Sequence, residues 1–140
     1  EISVSPALPS VNGFAFFPTS HGEKFDGIYL VSGLFGYQNQ GVFAHEAGHY
    51  LGLLHTFEGG CTNNNCQTDG DKICDTPPDD ESNLNQACGI TINSCSTDTN
   101  DNSMNNPFRS VSLGGLGDQN DPNENYMDYI RNNCRNQFTQ

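Results

Sequence analysis

The hydrophobic and polar positions divide the chain into an apolar first part and a largely polar remainder. Phe14–Phe17 is a short apolar run that ends at Pro18, and because proline cannot donate to a β-ladder, the run predicts an edge strand or extended segment. Gly27–Leu34 is apolar and β-branched at consecutive positions, which predicts a strand covered on both faces. The next apolar segment predicts a helix from about Gly41 to Leu51.

The rest of the chain has a composition that predicts little regular structure. Residues 1–12 combine prolines with turn-forming residues and are expected to form an irregular lead-in. From Glu58 to Asp121 apolar side chains are sparse, while Asn, Asp, Gly, Ser and Thr are frequent. We expect this region to be held by cross-links, and by metal ions where they bind, rather than by a hydrophobic core.

Length and charge limit the classes of function. With 140 residues the chain is long enough for one domain with a modest core. Its formal net charge of -12 would repel a phosphate backbone, so no nucleic-acid partner is expected. The chain has no apolar run of about 18 residues, so no membrane span is predicted. The acidity is equally consistent with a solvated surface, with calcium binding and with attraction of basic substrates.

The cysteines indicate a cross-linked protein. There are 6 of them, all after the apolar first part of the chain. An even number in a loop-rich region predicts three disulfides and an oxidising compartment. Six cysteines allow about 15 pairings, and spacing alone does not choose among them. A second zinc site is the alternative, although the chain contains no C-x-x-C pair.

The segment from His45 to His55 carries the candidate chemistry, in the pattern H-E-x-x-H-x-x-G-x-x-H. Residues i and i+4 of a helix share one face, so His45 and His49 are placed to bind one zinc ion. Glu46 would lie beside the metal as a general base. Gly52 can adopt a positive φ and turn the chain, which lets His55 return as the third ligand. Three imidazoles leave a fourth position for water, as in catalytic zinc sites.

The alternative interpretation of this segment is a buried amphipathic helix whose histidines are only hydrogen-bonded. H-E-x-x-H alone recurs by chance, but the longer pattern with both Gly52 and His55 favours a zinc site. The chain has 4 histidines, and only His21 lies outside this segment, where it is interpreted as a loop residue.

The zinc motif is similar to the consensus of the metzincin metallopeptidases, and Met127 resembles the methionine turn of those enzymes. Within the metzincins, five segments resemble the pappalysin family: G-F-A-F-F-P, D-G-I-Y-L, H-T-F-E-G-G-C, C-D-T-P and N-Y-M-D-Y. The resemblance implies an α+β catalytic domain, or a fragment of one, over residues 1–140. Its upper subdomain, residues 1–55, would hold a mixed sheet and the zinc helix. Its lower subdomain, residues 56–140, would be irregular, disulfide-linked and would contain the methionine turn.

The resemblance also implies roles for individual residues. Met127 would form an apolar floor beneath the histidines, and Tyr129 would approach the metal and hydrogen-bond the tetrahedral intermediate. The family can bind calcium in the loop after the zinc motif, although a solvated acidic loop is the alternative here. The candidate calcium ligands are Asp69, Asp71, Asp75 and the carbonyl of Thr76. The implied disulfides are Cys61–Cys88, Cys95–Cys134 and Cys66–Cys74.

Two features depart from the family pattern. Members that cleave before Lys or Arg carry an Asp two positions before the last bridge cysteine, at the base of the S1′ pocket, where this chain has Asn132. An amide cannot pair with a cation as a carboxylate does, so Asn132 does not support a strong preference for basic side chains. Asp128 and the overall acidity could compensate in part. The first strand and helix of the family's catalytic domain, and its last helix, have little sequence left here. The remainder of a larger precursor chain is therefore an expected partner.

Together, the motif and the resemblance predict a secreted, extracellular zinc endopeptidase. It would hydrolyse protein or peptide substrates through a zinc-activated water, with Glu46 as general base. Zn²⁺ is the expected cofactor and Ca²⁺ a further candidate. The alternative is a zinc-binding but catalytically inactive fragment that acts as a binding or structural module.

Overall fold

A computed structural model describes residues 2–5, 11–34, 40–80, 87–96, 102–131 and 133–139. The chain divides into two compact units, Glu1–Leu53 and Leu54–Gln140, and each is described by itself. Their assignment to two subdomains of one catalytic domain, divided after residue 55, stays a prediction. Among the described residues, no helix has the length and apolar character that crossing a bilayer requires.

The described residues of the first unit form a three-stranded sheet, one α-helix and two short 3₁₀ turns. β1 (Ile2–Ser5) pairs parallel with β3 (Ile28–Val31), and β2 (Gly13–Ala15) pairs antiparallel with β3, which gives the order β1-β3-β2. The segment Phe14–Phe17, predicted as an edge strand or extended segment, is strand only as far as Ala15, and that strand lies at the edge of this sheet among the described residues. The expectation of an irregular lead-in is wrong for residues 2–5, because their pairing partner lies far along the chain, where a local sequence pattern does not reveal it.

The helix α1 (Gln40–Tyr50) and the sheet share a small apolar core. Ile28, Leu30 and Val42 are buried in it, with Ala15, Ala47 and Tyr50 packed around them. The two other residues of β3 are only half-buried, so the strand alternates and the prediction that both of its faces are covered is wrong. Ser32–Leu34, predicted as strand, forms a short 3₁₀ turn.

The second unit is held mainly by polar contacts. Among its described residues, regular structure is limited to a 3₁₀ turn at Val111–Leu113 and an isolated bridge between Asn125 and Gln137, as the composition predicts. Its largest fully buried side chains are Phe108, Asn106, Asp79, Asp128 and Cys95. Side-chain amides replace the missing backbone ladders: the Asn106 carbonyl Oδ1 accepts from the Phe108 N–H at 2.8 Å.

Three disulfides cross-link this unit: Cys61–Cys95, Cys66–Cys74 and Cys88–Cys134. The predicted pairs Cys61–Cys88 and Cys95–Cys134 are therefore wrong, whereas Cys66–Cys74 agrees with the prediction. The reason is the direction of the segment from Cys88 to Cys95. The Asn123 side chain donates to the Ile90 carbonyl, and the Asp121 N–H donates to the Ile92 carbonyl. These contacts set the direction in which the segment runs, with Cys88 at one end and Cys95 at the other. The spacing of the cysteines along the sequence does not predict that direction.

A group of buried carboxylates lies in the same unit. Asp79 accepts hydrogen bonds from the hydroxyls of Thr56 at 3.1 Å and Ser94 at 3.2 Å. The Ser94 hydroxyl also lies 3.1 Å from an Asp121 oxygen, so one hydroxyl proton faces two carboxyl groups. Burial raises the pKa of Asp79 to about 7, with further increases from the charges of Asp128 and Asp121. A proton on Asp79 therefore relieves the cost of burying a charge beside two other carboxyl groups.

We predict that this protein becomes less stable as the pH rises from about 4 to 7. The folded state keeps a proton on Asp79 that the unfolded chain, with an ordinary Asp pKa of 3.8, has already released. Asp79→Asn imitates the protonated group and should increase the free energy of unfolding at pH 8 by about 1–3 kcal/mol. Chemical denaturation at pH 5 and pH 8 measures this. Asp80→Asn, the same change at the exposed neighbour, is the control, and identical pH profiles for both variants would contradict the prediction.

Candidate metal centre

Two histidines of α1 converge on one point. Their Nε2 atoms, from His45 and His49, lie 3.2 Å apart. The His49 Nδ1 lies 2.8 Å from the Leu53 carbonyl, and an N–H donated there leaves Nε2 as the atom that can bind a metal. Burial lowers the pKa of His49, and the Leu53 carbonyl offsets this in part. The neutral imidazole, which is the form that binds metals, is therefore favoured.

The turn that follows the helix is a Schellman motif built on Gly52. The Leu53 N–H donates to the Gly48 carbonyl and the Gly52 N–H to the His49 carbonyl, both at 2.9 Å. Gly52 has a φ of 102°, in the region that side chains rarely adopt. Its Cα also lies close to Pro18, so that a Cβ would come within 3.3 Å of the proline Cγ. The helix therefore ends at a position where both conformation and space favour glycine.

The segment from residue 45 to residue 55 brings three imidazoles together. The ligand atoms of His45, His49 and His55 all lie within 4.8 Å of one another. Two nitrogens at about 2.0–2.1 Å from a tetrahedral zinc ion are roughly 3.3 Å apart, which matches the two helical Nε2 atoms. Metal-binding side chains are those of His, Cys, Asp and Glu. Among the described residues, three of them lie close enough together to hold a metal ion at these histidines. The donor set fits zinc.

Glu46 accompanies the histidines on α1 and is buried, with 6% of its surface exposed. Phe17 packs beside the second helical ligand, with 5.4 Å between its ring centroid and that of His49. His21, interpreted as a loop residue, lies in a loop and stacks on Tyr50 at 4.1 Å. The rings of Phe17 and His21 therefore pack against the last turn of α1, beside His49 and Tyr50.

In the second unit, His55 belongs to a cluster of three rings. Its ring stacks on Phe57 at 4.7 Å, and Tyr129 meets it edge-on at 4.6 Å. Phe57 and Tyr129 also contact each other at 4.9 Å, and Tyr129 is 40% exposed. Phe57 was not singled out from the sequence, where the only signal is an aromatic residue two positions after the last ligand. The ring of Tyr129 thus lies directly beside the third candidate ligand.

The turn that contains Met127 is tied to the same segment. Met127 is buried, and its carbonyl accepts from the N–H of Thr56, the residue after His55, at 3.3 Å. The Arg135 Nη1 donates to the carbonyls of Tyr126 at 3.2 Å and Asp128 at 2.9 Å, on either side of the methionine. A single arginine after a cysteine does not signal in the sequence that it will donate to the carbonyls of this turn.

The roles expected for the candidate calcium ligands and for Asn132 remain predictions. Two of the candidate calcium carboxylates are engaged locally: Asp69 accepts from the N–H groups of Asn64 and Asn65, and Asp71 from that of Ile73. Burial raises the pKa of Asp71 to about 6. Asp75 is exposed, and the Thr76 hydroxyl pairs with that of Thr139. Asn132 lies outside the described residues.

Comparison with known proteins adds the family. The peptidase M43 family model, described as pregnancy-associated plasma protein-A, matches residues 7–140. The chain belongs to the pappalysin family. An extracellular metalloprotease of Sordaria macrospora is 33% identical over 138 residues, covering 91% of this chain and 39% of the relative. One of Verticillium alfalfae is 31% identical over 139 residues, covering 91% of this chain and 40% of the relative.

The solved structures give the same fold. Mature mirolysin of Tannerella forsythia, in complex with a cleaved peptide, matches 99% of this pappalysin chain with a TM-score of 0.62 at 24% identity. The chain covers 47% of that mirolysin chain, and about 40% of the curated relatives. The predicted α+β metzincin-like fold is confirmed.

We predict that Gly52→Ala weakens zinc binding by about five- to thirty-fold. An alanine held at positive φ costs about 1–2 kcal/mol, and opening the turn relieves this strain at the expense of the position of His55. Competition with a chromophoric chelator measures the zinc affinity. Gly22→Ala is the matched control, because Gly22 has a φ of 87° and open space around its Cα. Equal losses in the two variants would refute the role of this turn.

Proposed function

We propose that this chain is the catalytic part of a secreted zinc endopeptidase that cleaves proteins or peptides. The observation that carries the proposal is the convergence of three imidazoles on one point, with the buried Glu46 next to the first of them. The names of the fungal relatives, extracellular metalloproteases, support both the activity and the secretion. The three disulfides are typical of an oxidising compartment. The cleaved peptide in the mirolysin complex supports a peptide substrate.

His45, His49 and His55 would hold the zinc ion. When bound, the ion supplies Lewis-acid chemistry, because it polarises a peptide carbonyl and lowers the pKa of water. Glu46 takes the proton from the attacking water and later gives it to the departing amine. Its buried position keeps competing water away from the carboxylate during this transfer.

Tyr129 would stabilise the negative charge that develops on the carbonyl oxygen. Its ring is fixed by the edge-on contact with His55 and the contact with Phe57, while part of its surface stays exposed to a substrate. A phenolic O–H held in this way can donate a hydrogen bond to the oxyanion. Calcium binding in the loop after the zinc motif remains part of the proposal, as does the contact of Asn132 with substrate that the family resemblance implies.

We predict that Glu46→Gln lowers kcat on a denatured protein substrate by at least about 100-fold. The amide keeps the shape of the side chain and cannot accept the proton, while zinc content should not change. Proteolysis of unfolded casein, with and without a chelator and with zinc restored, measures the activity. Glu23→Gln, the same charge change in an exposed loop, is the control. A Glu46→Gln protein as active as the wild type would contradict this mechanism. A zinc-loaded wild type without activity would favour the alternative, a zinc-binding fragment that does not catalyse.

We predict that Tyr129→Phe lowers kcat by roughly 100-fold with little change in stability. The substitution removes only the hydroxyl and leaves the ring contacts with His55 and Phe57 in place. Steady-state kinetics on a fluorogenic peptide separate kcat from KM. Tyr29→Phe serves as the control, since it removes the hydroxyl that donates to the Phe25 carbonyl at 3.1 Å in the first unit. Equal kinetic effects of both variants would contradict a direct role for the Tyr129 hydroxyl.

A further inference from the structure

Gly13 of β2 lies directly against the side chain of Glu46. A Cβ placed on Gly13 would come within 3.0 Å of the Glu46 Cγ, 2.7 Å of the Leu30 Cδ2 and 3.0 Å of the Tyr29 carbonyl oxygen. Distances of this size are at or below the limit of real Cβ contacts. The space that a side chain at residue 13 would need is therefore already filled, in part by the proposed general base.

Glycine is needed at this position for space and not for backbone conformation. Gly13 is absent from the residues with positive φ, and it pairs with Leu30 in regular antiparallel register. Ala15, two residues on and therefore on the same face of the strand, packs against the core. Phe14, between them, stacks on Tyr29 at 4.7 Å. Small residues thus occupy the side of β2 that faces α1.

We propose that Gly13 is a positioning residue for Glu46, an inference that rests on the proposed function. Glu46 carries its carboxylate on two methylene groups, and the bare Cα of Gly13 forms the wall against which the second methylene lies. The wall restricts the rotamers of a buried side chain and so fixes the direction of the carboxylate. A displacement of about 1 Å in such a group can cost roughly 100-fold in rate.

The first experiment measures the kinetics of Gly13→Ala in the zinc-loaded protein. The added methyl should push the Glu46 side chain away from β2, so kcat should fall at least about ten-fold, KM should stay within about two-fold, and zinc content should be unchanged. Gly33→Ala is the matched control, because a Cβ there meets nothing within 4 Å and the residue has no positive φ. A kcat equal to that of the control would overturn the proposal.

A second arm separates Glu46 from Leu30, the other side chain that the new methyl would meet. Leu30→Val removes the Cδ2 atom, so the loss of kcat caused by Gly13→Ala should persist in that background. Recovery of kcat there would show that the effect runs through core packing, and would overturn the proposal.

A third arm needs no activity. Gly13→Ala should lower Tm by about 3–8 °C, and by less in a Glu46→Ala background, where the Cγ is gone. Equal Tm losses in both backgrounds would refute the contact. A wild type that binds zinc and cleaves nothing would refute the proposed function and the positioning role with it, while the Tm cycle would still report on the contact.

Discussion

The reversal of the chain at Gly52 is the constraint on which the candidate site depends. Two histidines on one helical turn follow from the helix alone, but the third ligand must come from a chain that has left the helix. The paired hydrogen bonds to the carbonyls of Gly48 and His49 complete this change within two residues. The strain of a positive φ, which would cost other residues about 1–2 kcal/mol, is avoided by the absence of a side chain.

Around the third ligand, the fold replaces a hydrocarbon core with hydrogen bonds and covalent links. Buried amides and carboxylates satisfy backbone groups that would otherwise pair in helices and strands, as at Asn106 and Asp121. Such an interior is stable only when each buried polar group finds a partner, because a lost partner costs more than the bond contributes. Three disulfides reduce the entropy of the unfolded chain, which lessens the stability that this polar interior must supply.

The sequence predicted what short-range geometry determines. The helix, the histidine spacing and the edge strand are all encoded within a few neighbouring residues, so pattern and motif were sufficient for them. The strand at residues 2–5 and two of the three disulfides depend on segments that meet across the fold, and spacing carries no information about direction. The contact between Gly13 and Glu46 has the same origin: a glycine in a strand signals a close approach without naming the partner.

Different kinds of contact surround the two proposed catalytic residues. The Glu46 side chain lies against Gly13 of β2, a contact that depends on shape. Tyr129 follows Asp128, whose carboxylate accepts the Tyr129 N–H at 2.6 Å and whose pKa burial raises to about 6. Protonation of Asp128 weakens this charged hydrogen bond to the backbone of Tyr129. The backbone that carries the proposed oxyanion donor is therefore bonded to a carboxyl group whose pKa burial raises, whereas the contact beside the proposed base depends on volume.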